Sequence, residues 1–182
     1  VNLVQHVYWN LSGDATKPIT DHELTLDSEF FLPTDKGLIP TGELEEVDAT
    51  PMDFRKPKVI GEDIEDDFEP LKLAGGYDHA WVLRKEEGSK ADAIRLAARL
   101  KDPKSGRVMT VSTNAPAGQF YTSNFLNGSV KGKGGVPYGK RTALCLETEG
   151  YPDAPNQPAF PTAVLRPGET YQHTLSFKFS AE

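Results

Sequence analysis

Apolar positions recur at period two along most of the chain, in short runs broken by turn residues, and that spacing predicts β-strands. Residues 1–9 are apolar and aromatic-rich and read as a strand. Residues 22–31 alternate around Leu24, Leu26 and Phe30, and residues 80–83 form a short run. Residues 108–113, 119–125, 142–148 and 170–179 read the same way. In the last of these, Tyr171, His173, Leu175, Phe177 and Phe179 share one face. Turns are predicted at Pro33-Thr34-Asp35-Lys36-Gly37, at Pro40-Thr41-Gly42, and at the hairpin-type Asp102-Pro103-Lys104-Ser105-Gly106-Arg107. Residues 90–100 are rich in Ala, Arg and Leu and tempt a helical reading. They run directly into the Asp102 turn and the next strand, so their second half is predicted as strand. Residues 59–70, with five carboxylates between Glu62 and Asp67, read as a solvated loop. The whole is predicted to be an antiparallel all-β architecture.

Composition narrows this picture. A length of 182 residues fits one domain, and no repeat or internal boundary divides residues 1–182. Apolar residues make up 37% and charged residues 26%, a globular composition rather than a disordered or fibrous one. Sixteen Gly and fourteen Pro imply many turns and few long helices. The net charge of −7 argues against a nucleic-acid partner, which selects for basic patches. No apolar run approaches the roughly 20 residues that span a bilayer as a helix, so no membrane partner is expected. The single Cys145 excludes an internal disulfide and a multi-thiolate metal site, and it is compatible with a reducing compartment. The chain opens on Val1-Asn2-Leu3-Val4 and is expected to begin inside a fold rather than at its edge.

Few motifs carry chemistry. Gly134-Gly135-Val136-Pro137-Tyr138-Gly139-Lys140-Arg141 approaches a phosphate loop, but Arg141 replaces the hydroxyl residue and Pro137 removes a backbone N–H, so it reads as a glycine-rich connection. Asn10-Leu11-Ser12 and Asn127-Gly128-Ser129 match a glycosylation pattern short enough to arise by chance. No HExxH or Cys/His cluster supports a metal site. Of the four histidines, His22 and His173 read as structural. His6 lies in a segment that mixes Asn2, Gln5, Tyr8 and Asn10 into apolar surroundings, as the lining of a wet cavity would. Gly75-Gly76-Tyr77-Asp78-His79 lets the backbone turn sharply and aim the side chains that follow. Glu147 sits in an otherwise apolar strand. Partial burial there would raise its pKa toward the range useful for proton transfer, and a salt-bridged Glu at a strand end is the equal alternative.

These residues carry a family resemblance. The chain is similar to the carboxyl-terminal half of an aldose 1-epimerase (galactose mutarotase) over blocks that follow in order. They include residues 2–11, Gly37-Leu38-Ile39-Pro40-Thr41-Gly42, Gly76-Tyr77-Asp78-His79 and residues 102–108. Further on come Gln119-Phe120-Tyr121-Thr122-Ser123-Asn124-Phe125, Leu146-Glu147-Thr148, residues 151–158 and residues 165–171. Val7 and Trp9 depart from the usual first block, where a small hydroxyl residue and Phe are common.

The resemblance implies a large antiparallel β-sandwich with an open sugar cleft on one sheet. It implies interconversion of the α and β anomers of aldohexoses such as galactose and glucose, without metal or cofactor. Glu147 takes the general-base position and His6 the general-acid position, expected on opposite sides of the sugar. Asp78 and Gln119 take sugar-contact positions, and Tyr8, in the His6 block, is expected to cover an apolar sugar face, a role Trp9 could share. The family is about twice as long, so an Arg and a second His of the cleft are expected from a companion chain or a further segment. Alternatives are a non-catalytic sugar-binding relative, the mutarotase tail of a bifunctional sugar epimerase, and a phosphosugar epimerase, for which no Arg-rich phosphate motif is present.

Overall fold

A strand with period-two sequence has one apolar face to bury, and two sheets stacked on those faces bury them all at once. The computed structural model describes residues 1–85, 87–90 and 92–182. In chain order the strands are β1 Glu23–Leu26, β2 Ser28–Leu32, β3 Glu45–Glu46, β4 Lys58–Val59, β5 Asp78–Leu83, β6 Arg95–Lys101, β7 Arg107–Thr113, β8 Ala117–Tyr121, β9 Cys145–Glu149 and β10 Leu175–Ala181. A short helix, α1, covers Glu69–Ala74. One sheet has the order β10-β7-β6-β1-β4 and the other β3-β2-β5-β8-β9, every pairing antiparallel. Leu24, Leu26, Leu100, Met109 and Val111 of the first sheet join Phe31, Trp81, Phe120 and Leu146 of the second in one buried cluster. The expected all-β sandwich is therefore the fold.

A second, smaller cluster lies on the other face of the β2–β9 sheet. Tyr151, Ala154 and Phe160 pack there over Leu32, Ala80 and Ala117. It anchors residues 150–160 as a wall across half of that face and leaves the other half open for the polar residues described below.

Several boundaries differ from expectation. Residues 1–9 form no strand beyond a single bridge between Trp9 and Leu144. The segment runs antiparallel beside β9, but side-chain amides do much of the pairing: Gln5 Nε2 donates to the Leu146 carbonyl at 2.7 Å, and Asn2 exchanges hydrogen bonds with the backbone of Gly150 at 2.8 and 3.1 Å. The polar residues that set this segment apart in the sequence are thus partly ladder substitutes. β8 stops at Tyr121 because the chain turns at Ser123, whose φ is +54°. β10 starts only at Leu175, since His173 is engaged by Thr148 and the Leu3 carbonyl. The acidic stretch 59–70 is not wholly solvated, because Ile60 and Ile64 are core residues. The second half of 90–100 is strand as expected, beginning at Arg95, while residue 91 lies outside the described residues.

The turn into β5 positions one edge of the open face. α1 ends on Gly75 with φ +67°, and Gly76 follows at φ +140°. The Tyr77 carbonyl then accepts from Thr122 N–H, Thr122 Oγ1 and Asn124 Nδ2. A Cβ on Gly76 would stand 2.4 Å from Asn124 Oδ1, so no larger residue fits without displacing this anchor.

Candidate active site

Strand register arranges the open face of the β2–β9 sheet in rows. Leu32, Ala80, Gln119 and Glu147 stand opposite one another across four strands. One row toward the Gly76 turn are Asp78, Tyr121 and Cys145, and one row the other way are Val82, Ala117 and Glu149. Because side chains on a strand alternate, Cys145, Glu147 and Glu149 all project from the same face of β9. A cavity of about 310 Å³ opens there, lined by His6, Asp78, Gln119, Glu147 and Glu149 on its polar side and by Leu32, Pro40 and Pro152 on its apolar side.

The antiparallel course of residues 1–9 along β9 lays His6 over this row. Its Nε2 is 3.5 Å from Glu147 Oε1 and its Nδ1 is 3.4 Å from Cys145 Sγ. Tyr8 packs against the imidazole with ring centroids 5.0 Å apart, and Tyr121 stands edge-on at 6.1 Å. Gln119 Nε2 donates to Asp78 Oδ1 at 2.8 Å, which fixes which end of each side chain faces the cavity.

The electrostatics follow from burial. Glu147 is only 7% exposed, and removal from water pushes its carboxyl up, against the opposing pull of His6 and with a further push from Asp78. Burial raises Asp78 as well, partly offset by the Gln119 hydrogen bond. Glu149 is raised to about 7, first by burial and then by the charge of Glu147.

Glu149 therefore carries a pH signature. Between the ordinary 4.5 and about 7 the folded chain holds a proton that the unfolded chain has released, so stability falls as pH rises through that window. Glu149→Gln, which cannot ionise, is expected to gain on the parent between about pH 5 and about pH 8. Urea midpoints of both proteins at the two pH values measure this. A difference that stays constant or moves the other way means that Glu149 is charged throughout.

His6, Glu147, Asp78 and Gln119, which are far apart in sequence, meet around one cavity. The expectation that His6 and Glu147 flank a sugar from opposite sides is corrected: they are in direct contact, because residues 1–9 and β9 run side by side. Tyr8 does not line this cavity. It backs the His6 ring and opens onto a neighbouring groove with Leu126 and Val130. Trp9 is half-buried against Phe177 and Phe179 and belongs to the core. His79 turns its ring into the sandwich against Phe31 and Trp81, where burial drives it down to about 4 and keeps it neutral. The glycine turn therefore aims Asp78, not His79, at the cavity. His22 is buried and accepts from Leu11 N–H, a structural role.

From the sequence, Cys145 was weighed only for disulfide and metal chemistry and Glu149 was given no role, although each is two residues from Glu147 and period two puts all three on one face. His6, Cys145 and Glu147 present ligand atoms within 4.8 Å of one another and form the potential metal-binding group of the described residues. Burial and the Glu147 charge push the Cys145 thiol well above its ordinary range. Within that group the shortest approach to Glu147 is the 3.5 Å contact of the His6 imidazole.

Comparison with known proteins adds to this geometry. The family model for aldose 1-epimerase matches residues 1–178. Galactose mutarotase of Homo sapiens is 47% identical over 180 residues, which is 99% of this chain and 50% of the relative. Aldose 1-epimerase of Escherichia coli (strain K12) is 38% identical, over 100% of this chain and 51% of its own. The crystal structure of a GalM/aldose epimerase homologue from C. elegans superposes with a TM-score of 0.85 at 31% identity, covering 100% of this chain and 51% of that one. Galactose 1-epimerase from Lactobacillus acidophilus NCFM gives 0.78 at 29%, covering 99% and 48%. The chain spans about half the length of the curated relatives it matches.

Proposed function

The chain belongs to the aldose 1-epimerase family, and from that premise we propose that it interconverts the α and β anomers of aldohexoses such as galactose and glucose. The observation that carries the reading is the contact between His6 and Glu147 at the wall of a polar cavity that also receives Asp78 and Gln119.

Mutarotation breaks and remakes the bond between C1 and the ring oxygen. Glu147 as carboxylate takes the proton of the anomeric hydroxyl, the electron pair forms the C1 carbonyl, and the C1–ring-oxygen bond breaks. His6 as imidazolium delivers its proton to the departing ring oxygen. Rotation about C1–C2 turns the other face of the aldehyde to the ring hydroxyl, and closure returns both protons. Anomeric hydroxyl and ring oxygen are both bonded to C1, so an acid and a base that adjoin one another reach both. The raised carboxyl of Glu147 suits this cycle, since the group must accept and release a proton near neutrality. Asp78 and Gln119 hold ring hydroxyls, each already oriented by the bond between them. Tyr8 supports the reading as a buttress that keeps the imidazole upright on Glu147. The step needs proton transfers alone and thus no cofactor. Polarimetry of freshly dissolved α-D-galactose and α-D-glucose tests the proposal. The intact protein should speed the approach to the equilibrium rotation, and a decay identical to that in buffer would reject the assignment.

We also infer that a second polypeptide or chain segment, the amino-terminal half of the family's sandwich, packs beside this one and completes the cleft. β10 is a seven-residue edge strand whose residues are largely exposed. Leu3, Val4, Val7, Phe125 and Phe179 are exposed apolar side chains. Unprotected edges and apolar surface of this kind favour association. Intact mass and sedimentation of the purified protein measure it, and a single monodisperse species of 20.0 kDa sinks it.

A further inference from the structure

Glu149 is a half-buried acceptor with few donors. It lines the cavity, and its one side-chain partner is Asn2 Nδ2 at a long 3.4 Å. Among the described residues no lysine, arginine or histidine forms an ion pair with it. A carboxylate offers about four acceptor sites, and those that the protein does not fill are turned to the cavity. The protein around it does not fill them. Its neighbours across the sheet in the same row are Ala117 and Val82, and its neighbour on the cavity wall is Pro152. By contrast Asp78, two strands away on the same face, has Gln119 as a donor.

Position adds the second part of the argument. Glu149 stands two residues beyond Glu147 on the same face of β9, so their Cα atoms are about 7 Å apart. That separation is comparable to the width of a pyranose ring. With C1 held at His6 and Glu147, the groups that come within reach of Glu149 are hydroxyls across the ring from C1. Leu32 and Pro152 flank the path and would meet the ring's C–H surface.

We propose that Glu149 is a specificity-determining residue of the hexose cleft, accepting a hydrogen bond from the C3 or C4 hydroxyl of the aldose whose anomeric carbon lies at Glu147. This rests on the reading of the cleft as a sugar site. A carboxyl group there offers acceptor oxygens to a sugar hydroxyl at that position and discriminates against a sugar that lacks it.

The test is a cycle between side chain and sugar. Dissociation constants for D-galactose and its 2-deoxy, 3-deoxy and 4-deoxy analogues are measured by calorimetry or ligand-observed NMR on the full chain, on Glu149→Ala and on Asp78→Ala. Glu149→Ala should weaken D-galactose and 2-deoxygalactose about tenfold, the loss typical of one hydrogen bond. It should leave either the 3-deoxy or the 4-deoxy sugar unchanged, because that sugar has no donor to lose. Equal losses for all four sugars, or none for any, overturn the proposal. If Glu149→Ala does not fold, Glu149→Gln carries the same cycle with a smaller loss and the same pattern. Sugar binding that disappears in Asp78→Ala yet ignores Glu149→Ala leaves the sugar site standing and removes Glu149 from it. Absence of binding to any of the sugars when the amino-terminal half of the cleft is also present removes both.

Discussion

Exchange of Glu147 for Gln is expected to slow the interconversion of D-galactose anomers by at least about 10²-fold while the protein stays folded. Gln keeps the shape of the side chain and its place in the row with Gln119, but it cannot take a proton from the anomeric hydroxyl. His6→Ala should act to a similar extent, since the ring oxygen then leaves without a proton donor. The double variant should be little worse than either single one, because two groups that pass one proton inventory between them fail together. His6 is half exposed, so its removal costs little packing and the loss reads as chemistry. Glu147 is buried, and Gln there relieves the burial of a charge, so its variant should be at least as stable as the parent. Polarimetric rates beside thermal melts measure both quantities. Near-parental turnover in either single variant would remove that residue from its role.

Trp81→Ala is expected to cost about 3–5 kcal/mol of folding stability. Trp81 is the largest fully buried side chain and lies where the two sheets and the 50–54 loop meet. Its ring has Phe31, Phe54, Tyr77 and Phe120 as neighbours, with centroids 5.9 to 6.5 Å away. Its indole N–H donates to the Met52 carbonyl at 3.0 Å, so truncation leaves a cavity and an unsatisfied carbonyl together. Because Trp81 shares β5 with Asp78, a relaxed strand also loosens one edge of the cleft. Urea denaturation followed by tyrosine fluorescence or circular dichroism gives the value. A loss under about 1 kcal/mol would mean the cluster repacks, contrary to the jigsaw density expected of a core.

Much of the fold was legible from periodicity. The β7 and β6 strands and the Asp102 turn between them are local features, and a hairpin needs only its own sequence to be recognised. Residues 1–9 misled because an apolar, aromatic-rich run looks like a strand. Whether it becomes one depends on what it pairs with, and here Asn2 and Gln5 replace backbone partners. In the same way the glycine turn before Asp78 was visible, but not that the pleat would send Asp78 to the cavity and His79 into the core.

The site divides along the same line. Glu147, His6, Asp78 and Gln119 were identified through a resemblance of ordered blocks, and residue type alone would have left each of them with a bland alternative. Glu149 was within reach of simple alternation from Glu147 and was overlooked because a second carboxylate at a strand end usually faces water.

By itself the sequence determined that the chain is all-β, that its strands are short and antiparallel, and which family it resembles. These follow from side-chain alternation and turn chemistry, which act over a few residues. Only the tertiary structure decided that His6 touches Glu147 rather than facing it across a sugar, that Tyr8 backs the imidazole, and that Glu149 shares the cavity. Those outcomes depend on the register between segments some 140 residues apart, and a period-two pattern specifies which face a side chain takes without specifying its neighbour across the sheet.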